Sequence, residues 1–288
     1  MDKKLIDLGK YIEKGIDWLI DKAGFIFDGI SDGIEVIVTA FQDLLAAPPF
    51  WVIIVILTGL MFYLNGRSYG FKTKEGIKKG LGIASFTAIG LLLLWAMGYW
   101  RMTTQTMALV ISASIIALLI GIPLGIWASR SDRAESVIRP ILDFMQTMPA
   151  FVYLIPAILF FGVGNVPGIV STVIFALPPA VRLTNLGIRG VQEDVVEASI
   201  AFGSTKRQLL YKVQIPLAMP TILAGVNQVI MLSLSMVVIA SMVGAGGLGQ
   251  AVYRGILKAD VGLGFEAGLG IVILAIILDR LTQSLTKA

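Results

Sequence analysis

Seven strongly apolar segments constrain this 288-residue chain more than any other feature of its sequence. A helix of ~20 apolar residues crosses the hydrocarbon core of a bilayer, where every backbone group has to bond within the protein. Only 15% of the residues are charged, against ~25% in soluble proteins. The sequence therefore predicts an all-α polytopic membrane protein, with spans at approximately 50–64, 81–99, 105–128, 147–163, 167–185, 217–243 and 265–284.

Residues 1–49 differ from the rest of the chain because they are amphipathic. Their apolar side chains recur at steps of three or four, with nine acidic residues and five lysines between them. This pattern predicts an N-terminal amphipathic helix that ends at Pro48-Pro49 and is bent or divided by its five glycines. We favour a helix that lies on the membrane surface as a scaffold. A brace packed along the spans is the alternative.

Basic side chains are concentrated in alternate connections between the predicted spans. The connections after the first, third and fifth spans carry several lysines and arginines, whereas the others carry few. Positively charged loops stay in the cytoplasm, so this distribution predicts an N-terminus outside the cell and a cytoplasmic C-terminus. The same distribution accounts for the isoelectric point of about 9.2, and we expect no nucleic-acid partner.

Missing residue types exclude several kinds of chemistry. The chain has neither cysteine nor histidine, which excludes thiol nucleophiles, disulfides, Cys/His zinc sites and histidine acid–base catalysis. It contains no G-x-x-x-x-G-K-[ST] phosphate loop, so we expect no ATP site of that kind. No acidic cluster lies at membrane depth, so we expect no metal site, and we expect neither a cofactor nor enzymatic activity in this chain. No ionisable side chain lies near the centre of a predicted span, which argues against coupling to protons or sodium.

The segment Gly244–Gly249 matches the G-x-G-x-x-G pattern of dinucleotide sites. Because it follows an apolar span and not a strand, we reject that kind of site. We expect a glycine-rich bend at the outer mouth, which flexes or lets a binding protein approach closely. A plain end of the span is the alternative.

A polar insert of residues 191–216 interrupts the apolar spans and carries the strongest functional signal. Asp194, followed three residues later by glutamate, predicts the N-cap of a short helix that ends at Gly203. Ser204 is expected to cap a second helix, which Pro216 closes before the sixth span. Two short helices on the cytoplasmic face follow from this pattern, and an ordinary surface hairpin is the alternative.

The insert resembles the EAA loop of permease subunits in type I ABC importers. The residues that carry the likeness are Glu197-Ala198-Ser199, Gly203 and Ile215-Pro216, with Ser199 in place of the second alanine. In that family the loop forms the coupling helix, which sits in a cleft of the ATPase subunit. The resemblance implies a coupling role for Glu197, Ala198, Gly203, Ile215 and Pro216, and we expect Lys206 or Arg207 to pair with acidic residues of the ATPase.

Three longer stretches look like the permeases of importers for betaine-type osmoprotectants. They are Asp143–Gly168, Ile174–Val191 and Leu234–Ile256, and the likeness covers most of residues 100–285. It implies a MetI-like permease domain over residues 50–288, set in the cell membrane as a homodimer. The implied partners are two cytoplasmic ATPase subunits, which bind ATP and Mg, and an extracellular substrate-binding protein. The implied cargo is glycine betaine or a related compatible solute.

Two groups of residues are candidates for the translocation path. One arc of the sixth span carries polar and flexible side chains, which either line the path or bond a neighbouring helix. In the fourth span, prolines 149 and 156 predict a broken helix. The aromatic rings beside the break could hold a quaternary ammonium group. We favour a packing role for these rings. The candidates are Asn227, Gln228, Met231, Ser235 and Met242 in the arc, and Phe151 and Tyr153 in the broken span.

Three other functions stay open at this point. An ABC permease for methionine or another amino acid keeps the class and changes the cargo. A secondary carrier or channel would work without an ATPase. A membrane scaffold would transport nothing.

Overall fold

The computed structural model describes residues 8–69 and 74–286, and within those ranges the protein is helical with no β strand. The N-terminal third contains α1 (Leu8–Ala46), α2 (Phe50–Tyr69) and α3 (Lys74–Ala96). The remaining helices are α4 (Trp100–Arg130), α5 (Asp132–Thr147), a 3₁₀ turn (Ala150–Tyr153), α6 (Leu154–Phe161), α7 (Asn165–Arg189), α8 (Glu193–Ala201), α9 (Lys206–Gln208), a π turn (Leu209–Gln214), α10 (Ile215–Ala240), a 3₁₀ turn (Ser241–Val243), α11 (Leu248–Lys258) and α12 (Val261–Thr286).

Five of the described helices are long and apolar enough to cross a membrane alone. Two further pairs, α1 with α2 and α5 with α6, pass the same test together but are bent by 97° and 108°. Counting each bent pair as one span gives up to seven. The predicted all-α polytopic class is therefore confirmed.

The predicted fourth span is broken, as its prolines indicated. Helix α5 ends at Thr147, Met148 is extended, and α6 contains only 8 residues. Pro149 restricts the preceding residue to an extended conformation, which stops α5 there. Pro156 leaves α6 intact because it lies in the first turn, where an N–H has no partner within the helix.

Helix α7 is the centre of the bundle, because it packs against both α4 and α10. The G-x-x-x-G pair of Gly121 and Gly125 in α4 faces Ala180 and Thr184 in α7. A Cβ atom added at Gly125 would lie 2.6 Å from Thr184 Cβ, closer than real Cβ contacts allow. Small residues therefore let the two backbones approach closely, as is typical of helix pairs in membranes.

Helix α1 is continuous from Leu8 to Ala46, so the prediction that its glycines divide it is wrong. Each glycine costs about 1 kcal/mol relative to alanine but keeps its backbone hydrogen bonds, and packing of the apolar face offsets that cost. Ile34 and Val38 are buried, and the Phe27 ring stacks on that of Phe160 at 4.6 Å. The C-terminal half of α1 thus packs on the bundle, as the brace alternative predicts, whereas Phe25 is 75% exposed.

We expect Gly125→Ala to destabilise the protein by about 1–3 kcal/mol, because the new methyl group overpacks the contact of α4 with α7. Gly59→Ala is the matched control, since nothing lies within 4 Å of a Cβ atom at that helical position. Thermal unfolding of both purified variants in detergent measures the difference. Equal unfolding temperatures would contradict the close contact.

Candidate coupling and transport sites

The first helix of the polar insert, α8, starts two residues earlier than predicted. Its N-cap is Gln192, which makes no side-chain capping bond, so the prediction of an Asp194 cap is wrong. Helix α7 ends at Arg189, and the chain becomes extended at Gln192 with ψ 132°. Glu193 and Asp194 instead occupy the first turn, where their charge interacts favourably with the positive end of the helix dipole.

Gly203 terminates α8 as predicted. Its φ is +83°, and its N–H donates to the Ile200 carbonyl at 2.9 Å. The Ser204 N–H donates to the Ser199 carbonyl at 3.1 Å, which completes a Schellman motif. A left-handed residue is required here, so glycine is preferred for conformational reasons.

The second helix begins one residue later than predicted, since its N-cap is Thr205 and not Ser204. Thr205 Oγ1 accepts from the Gln208 N–H at 3.3 Å, and Gln208 Oε1 accepts from the Thr205 N–H at 2.9 Å. Ser204 already takes part in the end of α8. The reciprocal pattern T-x-x-Q is a capping box that the sequence contained and that would have indicated the right residue.

Pro216 does not close the second helix, which contradicts the prediction. One helix runs from Lys206 to Val243 without interruption. A π turn over Leu209–Gln214 makes the Ile215 N–H bond to the Leu210 carbonyl, five residues back, and Pro216 then occupies the first turn of α10. Proline is tolerated at that place because its missing N–H is not needed. The polar insert is therefore mechanically continuous with the sixth predicted span.

The predicted coupling residues lie together on the surface of this insert, which we call the coupling hairpin (residues 191–216). Glu197 and Lys206 line one cavity of about 580 Å³, between the hairpin and the ends of α4 and α7. Arg207 lies outside it, 5.9 Å from the centre of the Tyr211 ring. Ile215 is half-buried; the exposed members of the set are Glu197, Ala198, Gly203, Lys206, Arg207 and Pro216.

The proposed arc on α10 divides into two groups. Asn227 donates to Asp279 Oδ1 at 3.3 Å and accepts from the Thr282 hydroxyl, so it bonds the neighbouring helix α12. Gln228, Ser235 and Met242 share an exposed face, and Met231 is half-buried. Sequence analysis missed Asp279, whose carboxylate also accepts from Gln283 at 2.8 Å, because nothing local reveals its partner on α10.

The aromatic pair of the broken fourth span does not form one surface. Tyr153 is only 6% exposed, its hydroxyl donates to the Met145 carbonyl, and its ring meets that of Phe175 at 6.3 Å. Phe151 is 53% exposed. In a 3₁₀ turn, residues two apart point to different sides, so a path lined by both rings is wrong. Tyr153 has the packing role that was favoured for it.

The glycine-rich segment after α10 is packed against this chain's own helices. Leu248 N–H donates to Thr106 Oγ1 at 2.8 Å, and Gly246 N–H donates to Asn165 Oδ1 at 3.1 Å. A Cβ atom at Gly249 would lie 2.9 Å from Val238 Cα. These glycines allow close approach of α10 and of α11, an amphipathic helix that the sequence analysis did not predict.

A charged cluster between α5 and α7 also escaped the sequence analysis. The Arg189 guanidinium lies 2.8 Å from Asp132 and 3.0 Å from Glu135, and Arg182 pairs with Asp143. Asp132 and Glu135 are one helical turn apart, and Arg182 and Arg189 are two turns apart, so each pair lies on one helix face. This spacing was the signal in the sequence that could have indicated the cluster. Because Arg189 is the last residue of α7, the cluster holds the start of the coupling hairpin against α5.

Tyr99, between α3 and α4, donates to Glu266 Oε2 at 3.1 Å. Burial, followed by this hydrogen bond and the charge of Glu266, raises the pKa of Tyr99 above its ordinary value of 10.0. The phenol therefore stays protonated at neutral pH and keeps its bond to α12.

Comparison with known proteins identifies the architecture. The family described as "binding-protein-dependent transport system inner membrane component" matches residues 121–288. The chain belongs to this family. The permease is 54% identical to the glycine betaine/carnitine transport permease protein GbuB of Listeria monocytogenes serotype 1/2a (strain 10403S), over 98% of this chain and 96% of that protein.

Two further relatives are similar over nearly the whole permease. It is 50% identical to the glycine betaine/proline betaine transport system permease protein ProW of Escherichia coli (strain K12), over 99% of this chain and 77% of that protein. It is 49% identical to the glycine betaine transport system permease protein OpuAB of Bacillus subtilis (strain 168), over 97% and 94%. The predicted class, a permease subunit of an ABC importer, is thereby confirmed.

A solved structure agrees on the fold. The inward-facing MetNI methionine ABC transporter has a TM-score of 0.59 to the permease at 21% identity, over 63% of this chain and 91% of that chain. The MetI-like fold predicted from the resemblance is confirmed. Membership in a family of transport components argues against a non-transporting scaffold.

Replacing Asn227 by leucine should destabilise the permease by about 1–2 kcal/mol, because Asp279 and Thr282 lose their partner on α10. Gln228→Leu is the matched control, since the neighbouring Gln228 side chain is exposed. Unfolding midpoints in a denaturing-detergent titration measure both variants. A larger loss in the Gln228 variant would contradict the bond between α10 and α12.

Proposed function

We propose that the permease imports glycine betaine or a related compatible solute, driven by ATP hydrolysis in a separate subunit. The observation that carries this proposal is identity of 49–54% to three glycine betaine permeases over nearly the entire chain. The exposed face of α10 adds support, because Gln228, Ser235 and Met242 are uncharged. A path without fixed charge suits a zwitterion with no net charge, since neither end is trapped by an opposite charge.

The proposed complex contains two copies of the permease, two cytoplasmic ATPase subunits that bind ATP and Mg, and an extracellular substrate-binding protein. Large apolar side chains remain exposed on α5 and α6, among them Phe144 and Ile155. A second copy would cover part of this surface, and lipid would cover the rest. In this arrangement the exposed face of α10 lines a path at the centre of the dimer.

The coupling hairpin is the proposed contact with the ATPase. Glu197 and Gly203 set its geometry, and Lys206 or Arg207 pairs with acidic residues of that partner. Closure of the ATPase dimer on ATP pulls the hairpin and opens the spans outward, and hydrolysis resets them. Because α9, the π turn and α10 form one helix, movement of the hairpin is transmitted directly to the face that carries Gln228.

We expect Gly203→Val to abolish ATP-dependent uptake while membrane insertion stays normal, because valine is strained at a φ of +83°. Gly203→Asn is the matched control, since asparagine tolerates left-handed conformations, and it should retain most of the uptake. Uptake of labelled glycine betaine by the complex in proteoliposomes measures both, with methionine as a competitor. Full uptake by the valine variant would contradict the coupling role. Separately, inhibition of glycine betaine uptake by methionine would favour an amino acid as the cargo.

The proposed orientation of the permease predicts from which side of the membrane a reagent can label each segment. A single cysteine at Ile30 should react with an impermeant maleimide in intact cells, because the N-terminal segment lies outside. A cysteine at Phe202, which is 91% exposed at the tip of the hairpin, should react only after permeabilisation. The chain contains no native cysteine, so each signal reports one position. The reverse pattern would contradict the orientation.

A further inference from the structure

A cavity of about 330 Å³ lies between α1 and the turn that joins α6 to α7. Its α1 wall contains Ser31, Glu35, Thr39 and Gln42, and its opposite wall is built from Phe161 and residues 163–167. The volume is at the small end of ligand pockets, which are about 300–1,000 Å³. The cavity lies at the start of α7 and the coupling hairpin follows its end, so the 25-residue length of this helix separates them, and the coupling mechanism does not use the cavity.

The polar wall of the cavity lies on α1, directly beside the apolar face with which this helix packs on the bundle. On α1, Ile34 and Val38 are buried against the bundle, and the polar residues at 31, 35, 39 and 42 form an adjacent stripe at steps of four, four and three. Such a stripe ordinarily faces solvent. Here the stripe also lines the cavity: Ser31 and Gln42 are half-buried, while Glu35 and Thr39 remain exposed and available to a small solute.

One part of the cavity has the chemistry of a site for an organic cation. Glu35 is the sole ionisable side chain among its lining residues. Within residues 8–69 and 74–286, Glu35 forms no ion pair. Phe161 lies on the facing wall, where Phe27 contacts its ring edge-on at 5.8 Å. A carboxylate together with an aromatic ring attracts a quaternary ammonium group.

The α7 side of the cavity offers hydrogen-bond donors. Asn165 and Val166 line it, and they are the first two residues of α7, a helix of 25 residues. Their N–H groups have no acceptor within the helix, and the N-cap Gly164 supplies no side-chain acceptor. The hydrogen bond from Gly246 to Asn165 Oδ1 fixes this wall. The cavity thus has a negative group on one wall and the positive end of a helix on the other.

We propose that this cavity is a receiving site for a small zwitterion, with its ammonium group at Glu35 and Phe161 and its carboxylate toward the first turn of α7. The assignment of glycine betaine as the natural ligand rests on the proposed function. Because Glu35 is exposed, water screens its charge and keeps the affinity low. A weakly held solute can enter from the outer face and leave again toward the path.

Protection of an introduced cysteine tests occupancy without ATP or partner subunits. The full-length Thr39→Cys variant in membrane vesicles is labelled with a trimethylammonium methanethiosulfonate reagent, with and without glycine betaine. We expect saturating glycine betaine to slow labelling about tenfold, in line with ~90% occupancy at ten times Kd. The matched control Ala40→Cys lies on the same helix outside the cavity and should be unaffected. Unchanged labelling at Thr39 overturns the site, as does equal protection at both positions.

Uptake by the assembled complex tests the role of the charge. Glu35→Gln should raise KM for glycine betaine about two- to fivefold, equivalent to ~0.4–1 kcal/mol, because the charge it removes is exposed. Asp32→Asn is the matched control, because it removes one acidic charge from the same helix, one turn away and outside the cavity. An equal rise of KM in both variants overturns the site and favours a general effect of surface charge.

The two proposals fail in different ways. If the unmodified complex takes up no glycine betaine with ATP, the proposed cargo is wrong, whereas protection at Thr39 by other zwitterions still supports the cavity. If the unmodified complex transports glycine betaine but Thr39→Cys is unprotected and Glu35→Gln has an ordinary KM, only the receiving site is wrong. Tetramethylammonium should protect Thr39→Cys, and protection by sodium alone would overturn an organic cation site.

Discussion

Close contact between backbones, made possible by small residues, is the constraint on which the rest of the permease depends. Burial of apolar surface drives helix association weakly in lipid, since the surroundings are equally apolar, so van der Waals contact has to hold the spans together. Gly121 and Gly125 let α4 reach α7, and Gly225 lets α10 reach the other side of α7 near Leu183. Helix α7 is thereby fixed between two spans, and the coupling hairpin that follows it starts from a defined position.

The hairpin is connected to the spans in two different ways. At its start, the ion pairs of Arg189 with Asp132 and Glu135 hold the end of α7 against α5. At its end the hairpin is joined to α10 by an uninterrupted helix, because the π turn accommodates Pro216 without a break. A continuous helix transmits rotation and translation, whereas an exposed ion pair is weak and can be remade. The hairpin is therefore connected rigidly to the face with Gln228 and more loosely to α5.

Individual residues indicate how far the sequence could predict the structure. Gly203 was assigned correctly to the end of α8, because a left-handed residue after a helix is a local requirement. The cap predicted at Asp194 lies two residues earlier, at Gln192, and the cap predicted at Ser204 lies one residue later, at Thr205, since several polar side chains competed for those positions. Asn227 was identified as polar on α10, but its bond to Asp279 spans 52 residues, and no local pattern specifies such a partner.

The sequence by itself determined the membrane class, the approximate spans, the broken fourth span and the place of the coupling hairpin. These follow from hydropathy, proline geometry and turn chemistry, which act over a few residues. Only the tertiary structure decided that α1 packs on the bundle, that Tyr153 is buried and that Glu35 lines a cavity with the first turn of α7. These depend on which helix faces meet, and the identity of a neighbour distant in the chain is settled by packing of the whole bundle.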